Sequence, residues 1–275
     1  MTGPYHDDDT NHLVAPPLAV ILAAGASRRL NPYTLHTPKC LLEVAGKTLL
    51  DHQLHALEVC GVREVLLVVG YLREQIETHL ARHHWGLQVR LLDNPRYAET
   101  NTAYSLWLAR GELSGRDFLY LNGDVLFEPR LTRRLLAAGQ DCTLAVETKT
   151  CGEEEVKVVV SDGRIRRIGK RLHPASCLGE FIGVGRFRGV IAESFLAALE
   201  ALISAGGENE YFEAALDAIA SHNALHLCDI SDLPVIEIDF PEDLERARRE
   251  IAPRFGRNEN DDGDDAVRGV PIAST

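Results

Sequence analysis

The side chains best suited to chemistry lie near the amino end. Residues 18–39 read LAVILAAGASRRLNPYTLHTPK. Ala24, Gly25, Ala26 and Ser27 carry little bulk, so backbone N–H groups there can approach a ligand closely. Arg28, Arg29 and Lys39 bring cations to the same mouth. Such a loop suits a polyphosphate. It is not a Walker A loop, which needs a Gly-Lys-Ser/Thr step, nor a Rossmann fingerprint, which needs two glycines beyond Gly25. Acidic residues follow where later strands end. The run FLYLN at 118–122 is closed by Gly123-Asp124, which sets a carboxylate at the carboxyl edge of a sheet. A hard oxygen there suits Mg²⁺, although Gly-Asp at a strand end also makes an ordinary turn. In PVIEID, residues 234–239, Val235, Ile236 and Ile238 point to the core while Glu237 and Asp239 share the opposite face. Two such carboxylates repel unless a cation lies between them.

Other chemistries find little support. His52 and His55, and His79 and His83, have helical spacings that could chelate a metal, but nothing nearby in sequence completes a site, so they read as surface helix faces. The GxSxG step of a serine hydrolase is absent. Six cysteines are scattered without a CxxC pair, which disfavours a zinc ribbon or redox couple and favours reduced thiols.

These groups need a scaffold, and the hydrophobic pattern supplies one. Residues 18–23 and 64–69 are apolar runs suited to buried parallel strands, and 88–92 is a third. Between them, Leu49, Leu50, Leu54, Leu57 and Cys60 form one helical face ended by Gly61, and 72–83 makes an amphipathic helix with Ile76 and Leu80 inward. Strand alternating with helix implies a parallel sheet with right-handed crossovers and ligands beyond the carboxyl ends of its strands. A polar loop at 93–102 feeds a helix at 103–112, and 129–138 is a further helix. A strand at 142–148 leads to a hairpin at 156–170 turning at Asp162-Gly163, a switch to antiparallel pairing that sets off an extension at about 150–190. Lys157 and Lys170 lie on this hairpin, where a solvated strand face also accounts for them. Helices at 191–204 and 210–221 and a closing helix from 240 to 251 complete the ordered chain. Residues 1–16 read as a disordered arm, 17–252 as a single domain and 253–275 as a disordered acidic tail.

The loop resembles a known signature over many spaced positions, LAAGxGxRLxPxTxxxPKxLLxVxGKxLL, that of the nucleotidyltransferases making nucleotide-sugars and CDP-alcohols. Here it reads Leu22-Ala23-Ala24-Gly25, Arg29-Leu30, Pro32, Thr34, Pro38-Lys39, Leu41-Leu42, Val44, Gly46-Lys47 and Leu49-Leu50. Ser27 stands where the family usually has glycine. The resemblance implies a Rossmann-like, GT-A-like three-layer α/β/α fold with a mainly parallel mixed sheet and a small antiparallel acceptor-side extension. It implies that residues 22–27 and Arg29, with Gly123, hold the nucleotide, and that Arg29, Lys39 and Asp124 are catalytic. Glu237-x-Asp239 is similar to the second metal motif, so Asp124, Glu237 and Asp239 together would hold one Mg²⁺. Asn101-Thr102-Ala103 takes the place of a Gly-Thr-Ala step that faces the base. The run Asn101-x-x-Tyr104-Ser105-Leu106 resembles the phosphocholine and phosphonate cytidylyltransferase branch; an N-cap role explains Asn101 or Thr102 equally well. GEFIG at 179–183 is similar to runs lining the acceptor pocket, making Glu180, with Lys170 and Tyr211, candidates for acceptor contact; Tyr211 could also simply pack.

The resulting expectation is transfer of CMP from CTP to a phosphorylated or phosphonate small alcohol or amine, with release of pyrophosphate. The acceptor is already anionic, so no general base is required. A sugar-1-phosphate nucleotidyltransferase using UTP or dTTP shares the amino-terminal motifs, and a nucleotide-sensing regulatory subunit without turnover is an alternative of another class. The net charge of −12 is about half contributed by the two ends, and the remaining body has no basic field to attract nucleic acid. No apolar run reaches membrane-spanning length and the start lacks a basic region followed by an apolar stretch, so a cytoplasmic protein without membrane partners is expected. A homodimer is left open.

Overall fold

The first apolar run becomes the centre of the molecule. β1 (Leu18–Ala23) lies between two parallel neighbours. Leu18, Val20 and Leu22 enter one apolar layer, and Ala19 and Ile21 enter the other. Burial on both faces is why the run is continuously apolar rather than alternating. The computed structural model describes residues 16–256.

From β1 the chain passes through a small hairpin, β2 (Glu43–Val44) and β3 (Lys47–Thr48), into α1 (Leu49–Val59). A capping box starts that helix: Thr48 Oγ1 accepts from the Asp51 N–H and the Asp51 carboxylate accepts from the Thr48 N–H, both at 3.0 Å. Strands and helices then alternate: β4 (Glu64–Val69), α2 (Arg73–Ala81), β5 (Gln88–Asp93), α3 (Thr102–Leu113) and β6 (Phe118–Asn122). After β7 (Val125–Leu126), α4 (Pro129–Ala137) and β8 (Cys142–Thr148) come the hairpin β9 (Lys157–Ser161) and β10 (Arg164–Gly169), then β11 (Gly179–Phe187). α5 (Gly189–Ser204), α6 (Glu213–Ile219), β12 (His226–Asp229), β13 (Ile236–Glu237) and α7 (Pro241–Arg246) follow, and a π-helical stretch, Ala247–Ile251, continues α7.

The main sheet runs β10-β9-β11-β6-β1-β4-β5, with β8 paired to β11 and β12 paired to β8. β6, β1, β4 and β5 are parallel, whereas β8, β9 and β10 join through the antiparallel β11. Helices α3, α5 and α6 cover one face and α1, α2 and α4 the other, giving the three-layer α/β/α arrangement. β11 bends at a register break between Phe181 and Gly185. Gly183 sits in that break at φ +76°, and a Cβ there would stand 2.2 Å from the Asn122 amide nitrogen.

A third cluster, including Leu30, Leu49, Leu126, Ile238 and Leu244, ties the first loop to β7, β13 and α7. Here the structure corrects the sequence expectation. Of residues 234–239, which read as the last strand, only Ile236–Glu237 forms one, and it pairs with β7 in a separate two-stranded sheet. Lys157 does not lie on a solvated face. It is fully buried, and its ammonium donates to the Glu153 and Glu155 carbonyls at 2.9 and 3.1 Å. Of the tail expected from 253, the first residues are held in place: Phe255 packs on the third cluster and the Gly256 N–H donates to Glu128 Oε2 at 2.8 Å. The rest of that tail and nearly all of the amino-terminal arm lie outside the described residues. No helix among the described residues is long and apolar enough to cross a membrane.

Candidate active site

β1 and β6 are adjacent and parallel, yet the chain leaves β1 toward β4 and returns from β5 to β6 on the other side. The loops after β1 and β6 therefore diverge and leave a crevice at the carboxyl edge. A cleft of about 240 Å³ lies there. Leu22, Ala23, Ala24, Gly25 and Ser27 form one wall. Ser27 adopts a left-handed conformation, φ 47°, and its carbonyl accepts from Thr34 Oγ1 at 2.9 Å, which turns the loop into the short helical turn Arg28–Leu30. Gly123 closes against β1: its N–H donates to Leu22 O at 2.9 Å, and a Cβ on it would stand 2.6 Å from that same oxygen. Buried Gln53 of α1 donates to the carbonyls of Asn122 and Val125, at 2.8 and 2.9 Å, and so brackets the turn that presents Asp124.

The charged groups meet at the mouth of this turn. Lys39 is only 9% exposed, and its ammonium lies 2.8 Å from both Asp124 Oδ2 and Asp239 Oδ1. Asp239 Oδ2 accepts from the Arg29 guanidinium at 2.7 Å, and Arg29 lies over the Phe240 ring, 5.0 Å from its centroid. Pairing of β13 with β7 brings Glu237 opposite Val125 and so beside Asp124. Asp243 holds the segment by accepting from the Asp239 and Phe240 N–H groups at 3.0 and 2.8 Å. Burial acts to lower the Lys39 pKa, but the charges of Asp124 and Asp239 outweigh it and the ammonium titrates above its usual value. Burial acts to raise Asp239, and Lys39 and then Arg29 outweigh it, holding the carboxyl below its usual range. Glu237 goes the other way: burial first, then Asp124 and Asp239, push it well above the usual carboxylate range against the pull of Lys39.

Whether these residues fit a Mg²⁺ ion can be judged from the oxygens themselves. Asp124, Glu237 and Asp239 can each offer an oxygen within 4.8 Å of the others, and Asp124 Oδ1 is buried with no hydrogen-bond partner. An all-carboxylate set with an unsatisfied oxygen suits a hard cation that completes its shell with water and phosphate.

The far end of the cleft is built differently. α3 points its amino terminus inward, with Asn101 Oδ1 accepting from the Thr102 N–H at 2.8 Å, so the capping role is observed. Thr102 Oγ1 accepts from the Phe212 N–H at 3.1 Å, and Ser105 Oγ accepts from Asn94 at 3.0 Å. Asn101, Thr102 and Ser105 line the cleft, as do Lys170 and Tyr211. The Lys170 ammonium stands 4.9 Å from the centre of the Tyr211 ring. Beneath them lies Glu213, 4% exposed, whose Oε2 has no partner. Burial raises its carboxyl from the ordinary 4.5 to about 7, against smaller opposing effects of a backbone hydrogen bond and Lys170.

Sixteen of the expected site residues therefore share one cleft, and two do not. Ala26 does not line it, and Glu180 is turned away to pair with Lys149. Glu180 lies in β11 beside β9, where the Lys149 ammonium takes up its carboxylate. Sequence reading missed Asn122 and Glu213. A signal for Glu213 was present: with Leu216 and Ala220 it repeats at helical spacing on a face that is otherwise apolar.

Over 248 residues the chain is 34% identical to the CMP-5'-(3-aminopropyl)phosphonate synthase of Streptomyces rubellomurinus, covering 86% of this chain and 39% of that protein. It is 34% identical over 158 residues to the choline-phosphate cytidylyltransferase of Streptococcus pneumoniae, covering 54% of this chain and 66% of that one. The chain thus spans from about two fifths to just under two thirds of the length of these relatives. The solved structure of CTP:phosphocholine cytidylyltransferase from S. pneumoniae superposes with a TM-score of 0.69 at 24% identity, covering 84% of this chain and 98% of that one. The inositol-1-phosphate CTP transferase of T. maritima gives 0.71 at 22%, covering 86% and 98%. These two show the shared fold. The sequence profile of the MobA-like NTP transferase domain matches residues 19–219, from β1 through α6 and across most of the cleft, and the chain belongs to that family.

Proposed function

We propose that this chain is a Mg²⁺-dependent cytidylyltransferase that moves CMP from CTP to a small phosphate or phosphonate monoester carrying a cationic nitrogen. The observation that carries the reading is the Lys39 ammonium held between Asp124 and Asp239 at the mouth of a small-residue loop. Its raised pKa keeps Lys39 charged throughout the neutral range, so it acts as a fixed cation and not as a base. In the reaction an acceptor oxygen attacks the α-phosphorus, and the bond from that phosphorus to the bridging oxygen breaks. The electron pair leaves with pyrophosphate. The loop N–H groups at 24–27 and Arg29 hold the β- and γ-phosphates, while Lys39 draws the α-phosphate and the anionic acceptor together. Mg²⁺ held by Asp124, Glu237 and Asp239 would neutralise phosphate charge and polarise the phosphoryl group.

The base and acceptor rest on two further points. The two relatives above carry CMP and choline-phosphate or aminopropylphosphonate in their names, and both acceptors combine a phosphorus oxyanion with a cationic nitrogen. A cleft with Lys170 over Tyr211 and a buried Glu213 with one unpartnered oxygen matches such a zwitterion: Lys170 for the oxyanion, Tyr211 and Glu213 for the nitrogen. A sugar-phosphate reading has one observation in its favour. Over 110 residues the chain is 43% identical to the mannose-1-phosphate guanylyltransferase catalytic subunit beta of Drosophila pseudoobscura pseudoobscura, covering 39% of this chain and 30% of that protein. Pyrophosphate release should be followed with CTP, UTP, dTTP, GTP and ATP, each paired with phosphocholine, aminoalkylphosphonates and hexose 1-phosphates. Turnover confined to CTP and a nitrogen-bearing acceptor is expected. Turnover with a hexose 1-phosphate replaces the reading with the sugar one, and nucleotide-dependent stabilisation without any turnover replaces it with a regulatory subunit.

A further inference from the structure

Outside the active cleft, α1 and α2 bring together three ligand-type side chains from positions far apart in sequence. Asp51 sits in the first turn of α1, His79 in the last turn of α2 and His83 just beyond it. One ligand atom from each lies within 4.8 Å of the others. They border a second cleft of about 610 Å³, distinct from the first and walled partly by Thr37 and Leu41 on either side of Lys39. Taken alone, His79 and His83 are a pair on one helix; Asp51, twenty-eight positions earlier, is what completes the set.

Asp51 and His83 are each oriented by a hydrogen bond that leaves another ligand atom free, and His79 is held in place by Asp51 itself. Asp51 Oδ2 is fixed by the Thr48 N–H at 3.0 Å, which leaves Oδ1 directed at His79 Nε2, 2.8 Å away. His83 Nδ1 lies 3.1 Å from the His79 carbonyl. A carbonyl can only accept, so Nδ1 carries the proton and Nε2 of a neutral ring keeps its lone pair. For Asp51 and His83 this is the support metal-binding carboxylates and imidazoles ordinarily receive, one atom tied to the protein and the other left for the ion. The fit is also metric. Tetrahedral ligands about 2.0–2.1 Å from Zn²⁺ lie roughly 3.3 Å apart. Asp51 and His79 are already near that separation, and His83 is exposed and can rotate to close the remainder. Lys47 and Arg82 also border the cleft and are matched by Glu43 and Glu74, so local charge does not repel a cation.

We propose that Asp51 Oδ1, His79 Nε2 and His83 Nε2 form a site for a divalent transition-metal ion of the Zn²⁺ type, with water from the cleft as the remaining ligand. The ion takes the place of the proton shared by His79 Nε2 and Asp51, the His79 ring proton being carried on Nδ1 instead. Two imidazoles and a carboxylate select such a metal over Mg²⁺, which prefers an all-oxygen shell, so the two sites differ in the ion they take. Its consequence is a cross-link between the start of α1 and the end of α2.

The test uses the chelator-stripped full-length chain with millimolar Mg²⁺ present, in an Asp124→Asn background that disables the carboxylate site. Zn²⁺ titration is expected to give one tight site, Co²⁺ to give the intense visible bands of four- or five-coordinate metal, and the His79 and His83 ring nitrogens to shift on Zn²⁺ addition. Melting temperature should rise by roughly 5 °C or more at Zn²⁺ a hundredfold above its Kd. His83→Ala, which alters an exposed side chain and leaves the Asp51–His79 pair intact, should weaken Zn²⁺ binding at least about tenfold and abolish the Co²⁺ bands. Unchanged Zn²⁺ affinity in His83→Ala overturns the proposal, as do ring nitrogens that do not respond to Zn²⁺. The readouts are independent of turnover, so failure of this site and failure of the proposed activity are distinguishable.

Discussion

The two ends of the cleft handle charge in opposite ways. At the mouth, Asp124 and Asp239 are each compensated by Lys39, and Asp239 also by Arg29, so every strong charge but Glu237 has a partner at hydrogen-bond distance. At the far end Glu213 is more deeply buried, no cationic side chain pairs with its carboxylate, and that carboxyl is raised to about 7. A cluster whose cations and carboxylates already pair holds its charged forms and can exchange those partners with a polyanion. An uncompensated carboxylate is a standing cost, and a cationic ligand is the simplest way to offset it. The contrast separates the part of the site that would perform transfer from the part that would choose the acceptor.

The largest effect is expected from breaking the compensated end. Lys39→Met removes the cation shared by two carboxylates and the group proposed to draw the α-phosphate and acceptor together. A loss of about 10³-fold or more in kcat/KM is expected in a pyrophosphate-release assay, with the loss mainly in kcat. A fall of less than tenfold would falsify the role assigned to this ammonium. Asp239→Asn is milder because Asp124 remains. We expect a loss on the order of 10²-fold, together with a higher Mg²⁺ concentration for half-maximal rate, and an unchanged Mg²⁺ dependence would remove Asp239 from the metal set.

The uncompensated end should respond to a change of charge without loss of chemistry. Glu213→Gln keeps shape and removes ionisation, so KM for an amine-bearing acceptor should rise about 10- to 30-fold while KM for CTP stays within twofold. The pH dependence has a definite sign. With its carboxyl at about 7, Glu213 is ionised above neutrality and protonated below, and only the ionised form attracts an ammonium group. Acceptor affinity in the parent should therefore weaken as pH falls below 7, by up to about tenfold per unit, and the Gln variant should lack that limb. Stability runs the other way. A buried carboxyl whose folded pKa exceeds its unfolded one binds more protons in the fold, so the parent loses stability as pH rises from about 4.5 to 7. At pH 8 the Gln variant should be more stable by on the order of 2 kcal/mol in chemical denaturation, and equal stability of the two proteins would mean that the Glu213 charge is already compensated.

The same contrast explains what the sequence disclosed. The mouth is formed by loops after β1 and β6, whose runs are apolar on both faces because both are covered by helices, and such runs can be read without a partner strand. Lys39 and Asp124 belong to local motifs, and their meeting at 2.8 Å follows once the two strands are adjacent. Elements that depend on distant pairing were less legible. β13 is two residues long and is defined only by its pairing with β7, so its place outside the main sheet has no local signature. β12 has ordinary polar ends and acquires its place by pairing in parallel with β8. Lys157 alternates as a solvated residue should, but the carbonyls of residues 153 and 155 fold over its ammonium. Asp51 completes the histidine pair only because two helices pack at that corner, a contact that no helical periodicity encodes.

Glu180 marks the boundary between the two treatments of charge and gives the smallest expected effect. Its sequence context, GEFIG, resembles acceptor-lining runs, yet its carboxylate is taken up by Lys149 and does not border the cleft. Burial raises its carboxyl, and Lys149 opposes that rise without cancelling it, so the pair behaves as a local structural contact rather than a vacant receptor. Its field reaches the mouth of the cleft only as a minor contribution to the raised pKa of Glu237, behind burial, Asp124 and Asp239. Glu180→Gln is therefore expected to change acceptor KM and kcat by less than about threefold, because the carboxylate does not border the cleft. If acceptor KM instead rises tenfold with the amine-bearing substrates alone, the acceptor subsite extends along β11 past Lys149, and Glu213 shares with Glu180 the recognition that the open cleft assigns to it.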